Sequence, residues 1–426
     1  MMKTVYQRNR LSNGVTVASV ALPGMESVSI GVWVKVGGRY ETHGKAGISH
    51  FLEHLLFKGT ETRSCTDLKE AIEGIGGSFN AFTGEEFTCY LVKVIGKHLP
   101  ISIDILSDMV LHATLTDEDI EKERLVILEE IKMEEDIPMH FVHELLNRLL
   151  WPHHPLGMEL GGTPSTVRSI RRKDLLAYRD FYYNPRNIFV IAAGAVNHRR
   201  LVKEVQKHFS AVSGKRPSVF LKVKPHARRI ATHFTFRKTA QTHFAIGLPG
   251  LRRDHSGQTA LGLLNVVLGA NMSSRLFQEV RENRGLAYEI GSHVRRYHDT
   301  GALVIDAGVD AKKADESVRV ILGELEKLKK EWIGREEFNR AKEYYTGQLL
   351  LGLEDTTDHM LWIGESLVTL NRITTSKDIL KKVSLTKPED VRAMARLVFQ
   401  NRGLKLALIG PQKEKDRKRI RKVIRG

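Results

Sequence analysis

The chain has 426 residues, of which 42% are hydrophobic and 27% charged, and its formal net charge is +16. This composition is typical of an ordinary globular protein, and the length exceeds what one hydrophobic core normally supports, so two domains are expected. No stretch approaches 18 consecutive apolar residues, which excludes a transmembrane helix.

The N-terminal residues and the number of cysteines indicate the cellular compartment in which the protein is expected. No apolar run follows the positive charges of the first ten residues, so no secretory signal is predicted. Two cysteines, Cys65 and Cys89, are too few for a disulfide framework, which fits a reducing compartment. We therefore expect a cytoplasmic location by default.

The positive charge is concentrated at the C-terminus. From Lys413 onward there are eight Lys/Arg against Glu414 and Asp416, so these residues contribute +6. No nucleic-acid-binding motif accompanies them, and no aromatic residues interleave them as a base-stacking surface would require. We expect a solvated basic tail at 413–426 and no nucleic-acid partner.

Hydrophobic periodicity predicts alternating strands and helices in the first half. Strand patterns occupy residues 10–40, with a turn at Asn13-Gly14, and return at about 78–95 and 187–194. Helical patterns are predicted at about 46–57, 67–74, 98–112, 117–149 and 172–181.

The second half repeats the first at an offset of 216 residues. This offset carries Asp174 onto Asp390 and Gly194 onto Gly410. It also carries the alternating Val28, Ile30 and Val32 onto Phe244, Ile246 and Leu248. Two copies of one α+β unit are therefore predicted: a domain at 1–212, a linker at 213–226 and a second domain at 227–412.

A helix containing His50, Glu53 and His54 carries the strongest chemical signal. Positions three and four apart share a helix face, so two imidazoles and a carboxylate project together. Two such imidazoles suit zinc, and Glu53 is placed to take a proton from metal-bound water. A polar face of a surface helix is the alternative, but the apolar neighbours favour packing into a core. Those neighbours are Leu52, Leu55, Leu56 and Phe57.

A catalytic zinc needs a third protein ligand, and the helical run at 121–131 offers candidates. Glu123 and Glu130 are seven residues apart and share a face, so Glu130 can be the ligand and Glu123 can orient a histidine. From spacing alone Glu129 and Glu134 compete with Glu130, and an acidic solvated face remains the simplest alternative.

These residues, taken together, resemble the pitrilysin/insulinase family of zinc metallopeptidases. Glu130 follows His54 by 76 residues, and the stretch 76–90 resembles the family's Asn-Ala-x-Thr strand. The likeness extends over nearly the whole chain, and its length matches the two-domain branch that includes mitochondrial processing peptidase and bacterial relatives. It implies two homologous domains, each a mainly antiparallel sheet packed against helices, as in the LuxS/processing-peptidase-like metallopeptidase fold.

The resemblance also implies roles for the residues of the first domain. One zinc ion per chain would be bound by His50, His54 and Glu130, with Glu53 as general base and Glu123 supporting a ligand. Asn80 and Ala81 would contact the substrate backbone, and Phe82 would line a side-chain pocket. Alternatively, Asn80, Ala81 and Phe82 belong to an ordinary strand whose backbone is hydrogen-bonded to neighbouring strands and contacts no substrate.

The second domain cannot hold the same zinc, because the helix predicted at about 257–270 contains no His, Glu or Cys. Arg281 and Tyr288 match an Arg and a Tyr, seven residues apart, that in the family contact the substrate backbone and the developing oxyanion. On spacing alone these two residues would be structural.

The implied function is a zinc metalloendopeptidase that cleaves peptides or unfolded segments in a closed chamber. A homodimer is expected, in which each composite site pairs the zinc of one protomer with Arg281 and Tyr288 of the other. The alternative is a non-catalytic core subunit of the same fold, although such relatives typically lose part of the metal motif. The processing branch receives substrate arginine on acidic side chains, and two of those positions fall on His140 and Glu144, the first of which is not acidic.

Overall fold

The computed structural model describes residues 4–214, 220–224 and 229–425. Its strands are β1 (Val5–Arg10), β2 (Thr16–Ala21), β3 (Ser27–Val34), β4 (Ser78–Thr83), β5 (Thr88–Ile95), β6 (Ile188–Gly194), β7 (Ala231–Phe236), β8 (Gln241–Pro249), β9 (Ala287–Arg296), β10 (Gly301–Asp310) and β11 (Lys405–Gly410). Its α-helices are α1 (Ile48–Leu55), α2 (Cys65–Glu73), α3 (Leu99–His112), α4 (Asp117–Asp136), α5 (Pro138–Leu150), α6 (Pro164–Ser169), α7 (Arg172–Tyr182), α8 (His198–Phe209), α9 (Gln258–Leu268), α10 (Ala314–Lys330), α11 (Arg335–Leu351), α12 (Thr356–Leu370), α13 (Ser376–Leu385), α14 (Pro388–Val398) and α15 (Glu414–Arg425).

These elements form two compact units. The first takes its described residues from Met1–Lys132, Met158–Leu221 and Leu351–Thr374, and the second from Met133–Gly157, Lys222–Leu350 and Thr375–Gly426. Each unit therefore includes a segment that lies, in sequence, within the other half of the chain. The predicted boundaries instead place 133–157 in the first domain and 351–374 in the second. The predicted linker at 213–226 lies partly outside the described residues.

The first unit is built on a sheet with the strand order β1-β2-β6-β3-β5-β4. β2 and β6 are parallel, and the other neighbours are antiparallel. One face of the sheet packs against α1, α3 and other helices in a large apolar core. The opposite face is covered by α12, whose Met360 and Ile363 pack near Trp33.

The second unit repeats this topology with the strand order β7-β11-β8-β10-β9. β7 and β11 are parallel and the remaining pairs are antiparallel. By position in the sheet, β8 corresponds to β3, β10 to β5 and β9 to β4. The helices correspond in their order along the chain as well. α9, which follows β8, stands in the place of α1, and α11, the second α-helix after β10, stands in the place of α4. The predicted α+β fold class and the internal repeat are confirmed.

One helix of each unit comes from the other half of the sequence. α12 covers a face of the first sheet, and α5 covers the equivalent face of the second through Leu146 and Leu150. The periodicity at 117–149 predicts one long helix, but Pro138 ends it, because proline is tolerated only in the first turn of a new helix. The boundary between the two units falls just before this break, between Lys132 and Met133 in the last turns of α4.

The basic C-terminal segment is not a solvated tail. Residues 414–425 form α15, and Ile420 and Ile424 are buried in the core of the second unit. These two residues are four apart and lie on one helix face, which leaves the Lys and Arg side chains outside. Among the described helices, none combines the length and the hydrophobicity that crossing a bilayer requires.

Packing of α12 against the first sheet can be tested at Gly364. A Cβ atom at this position would lie 2.2 Å from the Trp33 ring, so Gly364→Ala should overpack the interface. We expect a loss of about 1–3 kcal/mol in the free energy of unfolding, measured by urea denaturation. Gly323→Ala in α10 is the control, since nothing lies within 4 Å of its Cβ position and alanine is the better helix former. Equal effects of the two substitutions would contradict the close approach.

Candidate metal centre

The helix α1 separates an apolar face from a polar one. Phe51, Leu52 and Leu55 are at most 1% exposed and lie in the core of the first unit. His50 and His54 lie on the other face and keep side-chain exposures of 23% and 17%. The sequence prediction of a core-packed helix that presents two imidazoles on one face is therefore confirmed.

The start of α1 is fixed by a buried carboxylate that the sequence reasoning missed. Glu41 accepts hydrogen bonds from the backbone N–H groups of Gly47 (2.7 Å) and Ser49 (2.8 Å). Burial raises the pKa of Glu41 to about 7, against the opposing effect of these hydrogen bonds. Gly47 has φ +89°, and a Cβ there would lie 2.5 Å from the Gly161 carbonyl oxygen. Glycine at 47 and a carboxylate at 41 thus set the position of the residue just before His50.

The two imidazoles converge with a carboxylate from α4. The Nε2 atoms of His50 and His54 are 3.3 Å apart, and Glu130 Oε2 lies 3.6 Å from that of His54 and 4.0 Å from that of His50. Among the described residues this is the one group of three or more potential ligands whose donor atoms all lie within 4.8 Å of one another. Glu130 is therefore the carboxylate that α4 brings to the two histidines.

The competing carboxylates lie elsewhere. Glu129 is 72% exposed and forms an ion pair with Lys132 at 2.6 Å. Glu134 pairs with His140 at 3.0 Å in the second unit. Spacing alone did not separate these residues from Glu130, because a helix presents neighbouring positions 100° apart and only tertiary packing decides which side faces α1.

Glu123 joins His54 to a lysine. Its Oε2 lies 3.1 Å from His54 Nδ1, and its Oε1 lies 2.6 Å from Lys58 Nζ. The Glu123 side chain is 8% exposed, and a buried carboxylate is stable only when its charge is compensated. Accepting the Nδ1–H of His54 leaves Nε2 of that ring with a lone pair directed at the cluster. Lys58 was not predicted; its signal is its position four residues after His54.

Glu53 lies beside the imidazole pair and is held by β4. Thr83 Oγ1 donates a hydrogen bond of 2.5 Å to Glu53 Oε2. Burial raises the pKa of Glu53, partly opposed by the Thr83 hydrogen bond. The result is a positioned carboxylate with increased affinity for a proton.

The donor set fits zinc. Burial, and then the neighbouring His54, lower the pKa of His50 to about 4, so the His50 imidazole is neutral and can donate a lone pair at pH 7. Tetrahedral zinc with bonds of about 2.0–2.1 Å to nitrogen separates two ligand atoms by about 3.3–3.4 Å, and the two Nε2 atoms meet this condition. Two imidazoles and one carboxylate are also a ligand set of known catalytic zinc sites.

The predicted substrate strand is β4, at the edge of the first sheet. In the described part of the chain β4 pairs with β5 alone, so one side of its backbone is open. Ala81 lies on the face toward α1 and Asn80 is exposed. The Phe82 ring lies on the opposite face, 5.7 Å from Trp33 and 6.2 Å from Phe87 between ring centroids. The proposed contact of Phe82 with substrate therefore stays a prediction.

Arg281 and Tyr288 lie in the second unit. Arg281 is part of a π-helical turn at Phe277–Glu282, and its guanidinium carbon lies 4.8 Å from the centre of the Phe277 ring. Tyr288 is the second residue of β9 and is 64% exposed. Both side chains are thus accessible, and their roles stay predictions.

Comparison with known proteins identifies relatives of the whole chain. Residues 16–164 match the model of the insulinase family (peptidase family M16), and residues 169–345 match that of the peptidase M16 inactive domain. A protein of Streptomyces coelicolor, named as an uncharacterized zinc protease, is 36% identical over 97% of this chain and 91% of its own length. Another of that description from Bacillus subtilis is 37% identical over 96% and 98%.

Solved structures resemble the fold over the same span. A protease from Helicobacter pylori superposes with a TM-score of 0.90 at 25% identity, covering 96% of this chain and 100% of its own. A structure from Pseudomonas fluorescens described as a peptidase M16 inactive domain gives 0.88 at 18% identity, covering 96% and 98%.

The metal-binding role of Glu130 can be tested against Glu129, its neighbour on α4. Glu130→Gln removes an anionic oxygen from the cluster and should lower zinc affinity at least about 100-fold, since even partners that only orient ligands are worth 10–100-fold. Glu129→Gln should leave affinity unchanged, because that side chain faces solvent. Competition with a chromophoric chelator measures both. Equal affinities of the two variants would show that Glu130 is not a ligand.

Proposed function

Because the chain belongs to the insulinase family of peptidases, peptidase family M16, we propose that it is a zinc-dependent metalloendopeptidase. The observation that carries the proposal is the convergence of His50, His54 and Glu130, with Glu53 beside them. Relatives described as zinc proteases support this assignment. We assign one zinc ion to each chain, since the helix α9 that replaces α1 in the second unit carries no His, Glu or Cys.

The side chains of the first unit divide the chemistry of peptide hydrolysis. His50, His54 and Glu130 would hold the ion, which supplies a Lewis acid and lowers the pKa of water. Glu53 accepts the proton of the attacking water and delivers it to the leaving amine. Thr83 orients the Glu53 carboxylate through its hydrogen bond. Glu123 fixes the His54 ring and is itself fixed by Lys58.

The open edge of β4 provides the means of holding a peptide. An extended peptide can add to a sheet edge as a further strand, with backbone hydrogen bonds supplying affinity that depends little on sequence. Asn80 and Ala81 are the residues of β4 that we assign to this contact. Substrates would accordingly be peptides or unfolded segments, since a folded protein rarely offers a free strand.

Replacement of Glu53 separates metal binding from catalysis. Glu53→Gln keeps the size of the side chain but cannot accept a proton, so hydrolysis of a quenched, unstructured peptide library should fall by about 10²–10⁴-fold. Zinc content should remain equal to that of the wild type, because Glu53 is not among the three converging donors.

Two results would count against this mechanism. If Glu53→Gln cleaves as fast as the wild type, another group is the base. If the wild-type protein binds zinc and cleaves none of the library, the non-catalytic core subunit becomes the better interpretation. The variant Glu129→Gln serves as the activity control, because it makes the same chemical change at a solvent-facing position.

We further propose a homodimer with composite sites, in which Arg281 and Tyr288 of one protomer serve the zinc site of the other. The exposure of both side chains in the second unit is compatible with this role. In a dimer of twofold symmetry each interface contact occurs twice, so two such sites form.

Mixing two inactive variants tests this arrangement. Glu53→Gln and Arg281→Ala homodimers would each lack one component of both sites. Random exchange of protomers gives half heterodimers with one intact site each, so activity should return to about a quarter of the wild-type value. No recovery after demonstrated subunit exchange, or full activity of a monomer in light scattering, would contradict composite sites.

A further inference from the structure

The second unit contains a pocket at the position that corresponds to the metal centre of the first. In the first unit α1 follows β3, and α4 is the second α-helix after β5. In the second unit α9 follows β8, and α11 is the second α-helix after β10, so the two pairs of helices correspond. His50, His54 and Glu130 converge between α1 and α4. Between α9 and α11 the structure contains a cavity of about 360 Å³.

The helical walls of this pocket combine apolar side chains with two charged residues of α11, Glu337 and Arg340. Val266 and Val267 come from α9, and Ala341 and Tyr344 come from α11. Met272 and Ser273, in the loop after α9, are exposed at its rim, and Met272 keeps 71% of its surface accessible. A volume of this size, lined by apolar side chains and a few polar groups, is typical of sites for small ligands.

The charges of the pocket favour an anion. Glu337 is already neutralised, because Arg275 donates to both of its carboxylate oxygens at 2.8 and 2.9 Å. Arg340 also lines the pocket, and within the described residues it has no hydrogen bond or ion pair. Its guanidinium offers the planar pair of donors that binds a carboxylate through two parallel hydrogen bonds.

We propose that this pocket binds the carboxyl-terminal end of a peptide whose last side chain is apolar. The carboxylate pairs with Arg340, and the apolar side chain packs against the valines of α9 and Ala341. The proposal rests on the proposed function, because a peptidase generates such ends with each cleavage. Such a peptide end presents a carboxylate beside an apolar group, and small amphipathic acids present the same groups. The experiment below distinguishes peptide ends from small acids.

Binding is measured on the zinc-loaded full chain carrying Glu53→Gln, so that a peptide is not consumed. The probe is a fluorescently labelled Ala-Ala-Leu with a free carboxylate, compared by anisotropy with the same peptide as its amide. The acid should bind about tenfold more tightly, as expected for a charge-assisted hydrogen-bond pair. Binding does not require hydrolysis, so an inactive wild-type protein would refute the proposed function without deciding this question.

Matched arginine variants locate the site. Arg340→Gln should weaken binding of the acid about tenfold and leave the amide unchanged. Arg335→Gln, at an exposed position of the same helix that does not line the pocket, removes the same charge and should have no effect. Ser273→Trp at the rim should reduce binding by obstruction.

A covalent label gives an independent check of location. With photo-leucine as its last residue, the peptide should cross-link to 266–273 or 337–344. Equal affinities for acid and amide, equal effects of the two arginine variants, or cross-links confined to the first unit would overturn the proposal. If N-acetyl-leucine binds as tightly as the peptide, the pocket is a site for small amphipathic acids and the peptide assignment is wrong.

Discussion

The metal centre depends on how one eight-residue helix is held. An isolated helix of this length is unstable in water, so α1 exists because its apolar face is buried and its first turn is fixed. Glu41 supplies acceptors for two backbone N–H groups at that turn, and Gly47 allows the chain to pass close to Gly161. The same burial that stabilises the helix keeps the His50 imidazole neutral. Burial of α1 therefore both stabilises the helix and keeps His50 in the neutral form that can bind a metal ion.

The sequence predicted much of this arrangement because its determinants are local or periodic. The His50-x-x-Glu53-His54 spacing depends only on helix geometry, and the 216-residue repeat depends only on comparing the chain with itself. Contacts between distant segments were not predictable in the same way. Glu41, Lys58 and Thr83 stabilise the site through their position in the folded unit. Glu41 and Lys58 belong to no motif, and the Asn-Ala-x-Thr stretch that ends at Thr83 does not by itself reveal the hydrogen bond from Thr83 to Glu53. The choice of Glu130 over its neighbours also required the packing of α4 against α1.

The exchange of α5 and α12 between the units shows a second limit of sequence reasoning. Each is an amphipathic helix, and its hydrophobic pattern predicts that one face is buried. The pattern does not predict which of the two sheets that face packs against. Leu146 and Leu150 lie against Gly247 of the second sheet, while Gly364 allows α12 to approach Trp33 of the first. The basic C-terminal segment was misjudged for a related reason, since two isoleucines four residues apart are enough to hold a highly charged helix on a core.

The charges around α1 give a physical reason for a divalent cation rather than another ligand. Glu53, Glu123 and Glu130 carry three formal negative charges, and Lys58 contributes one positive charge to the network. The sum of −2 lies in a partly buried environment, where uncompensated charge is costly. A cation of charge +2 brings the sum to zero. In the second unit α9 contains no His, Glu or Cys, and the carboxylate of Glu337 is neutralised by Arg275. The carboxylates of the two units are therefore balanced by different partners, and among the described residues the converging metal ligands lie in the first unit.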